Sequence, residues 1–226
     1  MKRGTKLYEL LDEEIRNSDL FRTAITHRSV GSHNNERLEF LGDSILSISI
    51  TEYLYRNMPD APEGDLSRLR SHLVRGETLA DIGVDNFLGD QLKLGPGELK
   101  SGGFRRRSII EDALEAIIGA VFLLKGFEFT RQFIYDLFGD KLIDLPSAQS
   151  LKDPKSQLQE WLQSQGHPVP EYEVLSTSGK AHQMIFNTVC RIPALSIVCE
   201  NSGSSRRKAE QGAAVMAMQQ AIASND

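Results

Sequence analysis

Five carboxylates in two short runs carry the strongest chemical signal in this sequence. In NNERLEFLGDSIL, residues 34–46, Glu36, Glu39 and Asp43 lie three and then four residues apart. On a helix that spacing stacks all three on one face. Like charges so placed repel, so a helix built only for stability would not favour them. A cation between them turns the penalty into a use, and hard divalent ions such as magnesium take carboxylate oxygens readily. Asp112 and Glu115 repeat the arrangement inside a run otherwise rich in Ile, Ala, Leu and Val. Charged groups are rare in such surroundings unless paired or metal-bound. An acidic pair at this spacing is more often a solvated helix face. Two sets embedded among apolar residues weigh against that, although spacing does not show that the two helices meet. If they do, four or five carboxylates converge. Such clusters hold magnesium in phosphodiester hydrolases, where the ion polarises a phosphoryl oxygen and generates hydroxide.

A second locally unfavourable choice lies near the end of the chain. GSSRRKAEQGAA, residues 203–214, places Arg206, Arg207 and Lys208 in the first turn of an Ala-rich helix. Cations there oppose the helix dipole by roughly 0.3–1 kcal/mol each. A solvated charge run is the plain alternative, but a bound phosphate would explain the choice.

The elements that must position these groups divide into two sets. Up to about residue 145, apolar residues recur at helical spacing. Leu38, Leu41, Ile45 and Ile48 form one stripe. Leu66, Leu69 and Leu73 form another, behind Asp65 as a possible N-cap. The third is Ile109, Ile110, Leu114, Ile117, Ile118, Val121 and Phe122, apolar almost all round as a central helix would be. The segment GPGELKSGG, residues 95–103, reads as a loop. A polar, proline-containing break follows near residues 145–153. Beyond it, Asp153 and Pro154 can open a helix with Leu158, Trp161 and Leu162 on its apolar face. Strand-like runs follow at residues 171–177, 183–192 and 195–200, and a last helix at about 205–221. The expectation is an all-α domain over residues 1–146, a linker at 147–152, and a small α+β domain of α-β-β-β-α order over 153–226.

Composition narrows the classes. The net charge of −5 excludes a generally basic coat, although a local patch can still hold phosphate. The segment from Asp153 onward has six Lys/Arg and seven Asp/Glu, so any affinity for nucleic acid depends on where its charges sit. Neither a secretory signal nor a run long enough to span a bilayer is readable. Cys190 and Cys199 lack metal-site spacing and read as buried reduced thiols. A cytoplasmic protein with no membrane partner and no small-molecule cofactor is expected.

The run ERLEFLGDS at residues 36–44 resembles the signature of the ribonuclease III family. THRS at 26–29, EGDLSRLR at 63–70, LVRGETLA at 73–80, LGPGELKSGG at 94–103 and SIIEDALEAIIGAVFL at 108–123 agree with it in order. The resemblance implies a homodimeric endonuclease that cuts double-stranded RNA. It implies Glu39, Asp112 and Glu115 as magnesium ligands, with manganese able to substitute. Asp43 and Glu115 then fall on catalytic positions, and Glu36 and Glu63 line an acidic cleft. Products would carry 5′-phosphates and 3′-hydroxyls with short 3′ overhangs, and substrates would be precursors of ribosomal RNA and structured messenger or transfer RNA.

The last segment resembles a double-stranded RNA-binding domain. This module reads duplex shape over about 16 bp through minor grooves and phosphates. The match implies groove contacts from Gln157, Glu160 and His182, and phosphate contacts from Arg206, Arg207 and Lys208. Glu210 departs from the common pattern, which has a third basic residue there, and implies weaker binding by this domain alone. His27 reads as a structural residue more readily than as a base. Arg105, Arg106 and Arg107 fit a solvated run and a phosphate grip equally well. The alternative reading of the whole chain is a non-cutting double-stranded RNA-binding protein with an inactive helical domain, and the intact carboxylates count against it.

Overall fold

A computed structural model describes residues 6–180 and 183–224. The chain divides between Leu151 and Lys152 into two compact units. The first is helical: α1 (Lys6–Leu10), α2 (Glu13–Asn17), α3 (Asp19–Ala24), α4 (Glu36–Asn57), α5 (Glu63–Leu73), α6 (Gly76–Asp85), α7 (Pro96–Lys100), α8 (Arg107–Phe138) and α9 (Asp140–Ile143). Helix α8 is the axis of the core. Its residues from Ile109 to Val121 are buried almost without a break, as the all-round apolar run predicts, except that Glu111 and Asp112 are half-buried. It bends at Gly126, whose φ of 77° leaves the helical region. Asp12 and Ser18 cap α2 and α3 through the Ile15 and Phe21 amides at 2.8 and 3.0 Å.

Three local expectations change. Helix α5 starts at Glu63 behind Pro62, so Asp65 lies inside the first turn and pairs with Arg68. The segment 95–103 contains α7, because Pro96 suits a first helical position. Ile48 is 55% exposed, and the buried side of α4 runs instead through Leu38, Gly42, Leu46, Ile50 and Leu54.

The second unit consists of α10 (Pro154–Ser164), an antiparallel sheet β1 (Glu171–Ser178), β2 (Ile185–Ile192) and β3 (Ile197–Gly203) in the order β1-β2-β3, and α11 (Arg206–Ala223). Both helices contribute to one core. Leu158 and Leu162 of α10 meet Ala213, Ala214, Ala217 and Ala221 of α11 and the inner residues of β2 and β3. The alanines let α11 lie close against the sheet. Cys190 and Cys199 face each other across β2 and β3 as free, buried thiols, and burial pushes both above the ordinary thiol range. Trp161 packs against this core rather than presenting its ring to solvent. Among the described residues no helix is long and apolar enough to cross a membrane.

Asp153 ties the start of α10 to α11. It caps the Lys155 amide at 2.9 Å and accepts from Gln211 Nε2 at 2.8 Å and Arg207 at 3.2 Å. Burial pushes its carboxyl up, but these hydrogen bonds outweigh burial and hold it below the ordinary range. A depressed carboxyl stabilises the fold above its unfolded pKa, and that contribution is lost as pH falls through the folded value. Asp153→Ala is therefore expected to lower the stability of this unit by about 1–2 kcal/mol at pH 7. The gap should close in acid, which thermal melts of the full chain from pH 7 down to pH 3 would measure.

Candidate active site

The acidic runs meet because each helix carries a glycine where they cross. A Cβ on Gly42 of α4 would stand 1.8 Å from the Glu115 carbonyl oxygen, and one on Gly119 of α8 would stand 2.3 Å from the Leu38 carbonyl oxygen. The two backbones touch at distances no larger residue permits. Glu39 and Asp43 lie one turn apart around Gly42, and Asp112 and Glu115 lie just before Gly119. The crossing therefore turns two acidic faces toward each other.

Glu115 lies deepest, 8% exposed. Burial, then the charges of Asp43, Glu111, Glu39 and Asp112, push its carboxyl up to about 8. Glu39 is half-buried and raised by burial and by Asp112, Glu36 and Glu111. Asp112 is raised chiefly by burial, against the pull of His27 and Arg28. Glu111, absent from the sequence expectations, is raised by burial and by Asp112. Its signal was in plain view: it stands one turn before Glu115, in the same run.

The nearby cations are engaged elsewhere. Arg28 reaches Glu36 at 3.5 Å, Arg106 reaches Glu98 at 2.8 Å, and Arg107 reaches Asp81 at 2.6 Å. Glu39, Glu111, Asp112 and Glu115 make no ion pair among the described residues. Their charge is thus left for something outside the chain. As placed, no three His, Cys, Asp or Glu side chains among the described residues form a group that could hold a metal ion. The donor chemistry nevertheless fits a hard divalent cation, being all carboxylate, partly desolvated and mutually repulsive.

A cavity of about 450 Å³ opens beside the cluster, lined by Glu36, Glu39, Asp112, His27, Asn35 and Arg106, among others. His27 is a buried wall residue whose Nδ1 shares a hydrogen bond with Ser29 Oγ at 2.8 Å. Asn35 is 2% exposed, and its Nδ2 has no partner among the described residues. Of the arginine run, Arg106 lines this cavity, Arg107 is spent on Asp81, and Arg105 lies over the Phe104 ring. Glu63 stands apart from the cluster within one chain. It is exposed, accepts from Ser67 Oγ at 2.7 Å, and lines a separate groove with Thr51, Tyr55 and Arg70. Asp43 is exposed, beside Gly42 on the cluster side of α4.

In the second unit, Arg206, Arg207 and Lys208 are exposed on the first turn of α11, behind the Ser205 cap. Gln157 and Glu160 lie on α10, where Gln157 Nε2 donates to the Lys152 carbonyl at 2.9 Å and Glu160 pairs with Lys152. His182 lies outside the described residues.

Residues 17–142 match a family model described as Ribonuclease-III-like, and residues 154–221 match one described as a double-stranded RNA binding motif. Ribonuclease 3 of Vibrio cholerae is 48% identical, covering 95% of this chain and 96% of its own. Ribonuclease 3 of Alkalilimnicola ehrlichii is 50% identical, covering 92% and 91%. The crystal structure of the nuclease domain of ribonuclease III from Campylobacter jejuni superposes with a TM-score of 0.58 at 41% identity, covering 65% of this chain and all of that one. A second structure of that domain, with 43% identity and a TM-score of 0.57 over 60% of this chain and 95% of that one, is described as flexible in a region involved in dimer formation.

Proposed function

The chain belongs to the ribonuclease III family and is a double-strand-specific endoribonuclease, and from that premise we propose that its cutting centre is the carboxylate cluster at the α4–α8 crossing. The observation that carries this is Glu115, a buried acid on an apolar helix, surrounded by four more acids and left without a cation. Glu39, Asp112 and Glu115 would hold magnesium, with manganese able to substitute. When bound there, magnesium would supply polarisation of the phosphoryl oxygen and a nucleophile from coordinated water.

The chain's own residues divide the remaining work. Glu115 carries the most strongly raised carboxyl of the cluster and can hold or release a proton near neutral pH. Asp43, exposed beside Gly42, sets its negative charge next to Glu115, where it helps to raise that carboxyl. Glu36 and its partner Arg28 form part of the wall of the adjoining cavity. The products would be duplex ends with 5′-phosphates, 3′-hydroxyls and short 3′ overhangs. The substrates would be precursors of ribosomal RNA and structured messenger or transfer RNA, cut in the cytoplasm. Gln157, Glu160 and His182 would reach the minor groove, and Arg206, Arg207 and Lys208 the phosphates between grooves.

Metal binding can be tested without reference to cutting. Magnesium at millimolar concentration should raise the melting temperature of the wild type by several degrees, through preferential binding to the folded state. Asp112→Asn and Glu115→Gln should lose most of that shift. An equal shift in all three proteins would place the metal elsewhere.

The homodimer rests on α4. Phe40, Ile48 and Tyr55 are 79%, 55% and 74% exposed at spacings of eight and seven residues along one face. A row of large apolar side chains in water marks an interaction surface. Glu63 lines the groove beside Tyr55, on the side of the helix that pairing would cover. Phe40→Arg is expected to shift the protein from dimer to monomer in light scattering at micromolar concentration. A monomeric wild type would remove the proposal.

A further inference from the structure

Two of the three cations that open α11 are already paired with acids of this unit. Glu210, one turn into the helix, is 6% exposed. Its Oε1 accepts from Arg206 Nε at 2.8 Å and its Oε2 from Lys155 Nζ at 2.5 Å. Lys155 in turn lies over the Tyr172 ring, 4.2 Å from its centre. Arg207 is drawn to Asp153 at 3.2 Å. Of the three cations that open α11, only Lys208 makes no ion pair among the described residues.

We propose that Glu210 is an affinity-setting residue, an internal anion that holds Arg206 and Lys155 and so limits how tightly this unit grips the RNA backbone. The inference rests on the double-stranded RNA-binding reading of the unit. Arg206 is 66% exposed while the Glu210 side chain is 8% exposed. The anion is therefore anchored while one of its cations faces solvent. A strand phosphate approaching Arg206 meets a guanidinium already neutralised through Nε, with its terminal amines still available as donors. The phosphate contact forms, but with its electrostatic gain reduced. A purely structural role would make Glu210 a cross-link between α10 and α11. The two roles predict different outcomes. Removing a structural cross-link leaves binding equal or, through lost stability, weaker, whereas removing a competing anion strengthens it. For an enzyme that must release cut duplex, a limited grip favours turnover.

The test compares full-length wild type, Glu210→Gln, Arg206→Gln and the double variant, binding a labelled RNA duplex of about 20 bp in chelator, across a series of salt concentrations. The length exceeds the roughly 16 bp that such a module spans. Glu210→Gln should bind about fivefold tighter at low salt, with the slope of log Kd against log salt steeper by about one. In the Arg206→Gln background most of the gain should disappear, since the exposed one of the two held cations is gone and only Lys155 remains to be freed. Circular dichroism and melting confirm that each variant is folded, and Glu210→Asp serves as a second, charge-retaining variant that should not bind tighter. With magnesium restored, Glu210→Gln should show a lower KM without a higher kcat. Equal or weaker binding by a folded Glu210→Gln overturns the proposal, as does a gain that persists undiminished without Arg206. If wild type fails to bind duplex at all, the RNA-binding reading falls, and this inference with it.

Discussion

Replacing Glu115 by Gln is expected to lower duplex cutting by about a thousandfold or more while making the metal-free protein more stable. Both effects follow from one fact: the side chain is placed for charge, against the interest of the fold. Burial and four neighbouring acids raise its carboxyl from 4.5 to about 8. Between those values the folded protein keeps a proton that the unfolded chain has already released. Stability therefore falls as pH rises through that window, and the full penalty is reached above about pH 8. At pH 7 it amounts to about 3 kcal/mol. Gln keeps the size, carries no charge and removes that slope. The variant should melt roughly 5–10 °C above the wild type at pH 7 in chelator, and the difference should vanish near pH 4. A Gln variant that melts lower at pH 7 would show that Glu115 is a structural acid with a partner of its own. Magnesium should reverse the order, since only the wild type gains a bound ion.

The second large effect is expected at the crossing. Gly42→Ala drives a methyl group to within 1.8 Å of the Glu115 carbonyl oxygen, a backbone atom in the middle of the most buried helix. No side-chain rotation relieves that contact, so α4 and α8 must separate. The expected loss is about 3 kcal/mol or more, at the upper end of what overpacking does. Gly119→Ala meets the Leu38 carbonyl at 2.3 Å and should follow it. Gly97→Ala is a control, because nothing lies within 4 Å of a Cβ there. Urea denaturation of the three variants gives the ordering directly, and equal midpoints would mean that the helices do not touch. Any Gly42→Ala protein that still folds should cut poorly, because a displacement of the order of an ångström is large for a catalytic site.

These glycines also mark the limit of what was legible in the sequence. The carboxylate spacing, the apolar character of α8 and the α-β-β-β-α order of the second unit can all be read from residue types, since each is a local pattern. That the two acidic helices meet is a tertiary fact, and its signal is the glycine within one acidic run and the glycine one turn after the other, rather than the acids. Ile48 was expected inside because helical periodicity reports that a residue is apolar without reporting which neighbour covers it. Phe40, Ile48 and Tyr55 form a row that this unit alone leaves in water. Asp65 was expected to cap α5, but Pro62 lies three residues earlier and the helix begins directly behind it. Glu210 was recognisable as a departure in charge, yet only the folded arrangement shows it buried between Arg206 and Lys155.

The most direct test of the central claim is cleavage of an end-labelled RNA duplex by the wild-type chain, with magnesium and with chelator, beside the same strand unpaired. The account predicts cutting of the duplex only, only with the divalent ion, into fragments bearing 5′-phosphates and 3′-hydroxyls. A duplex that is bound yet left intact with magnesium and manganese would contradict it, and equal cutting in chelator would show that the carboxylate crossing is not a metal-dependent centre.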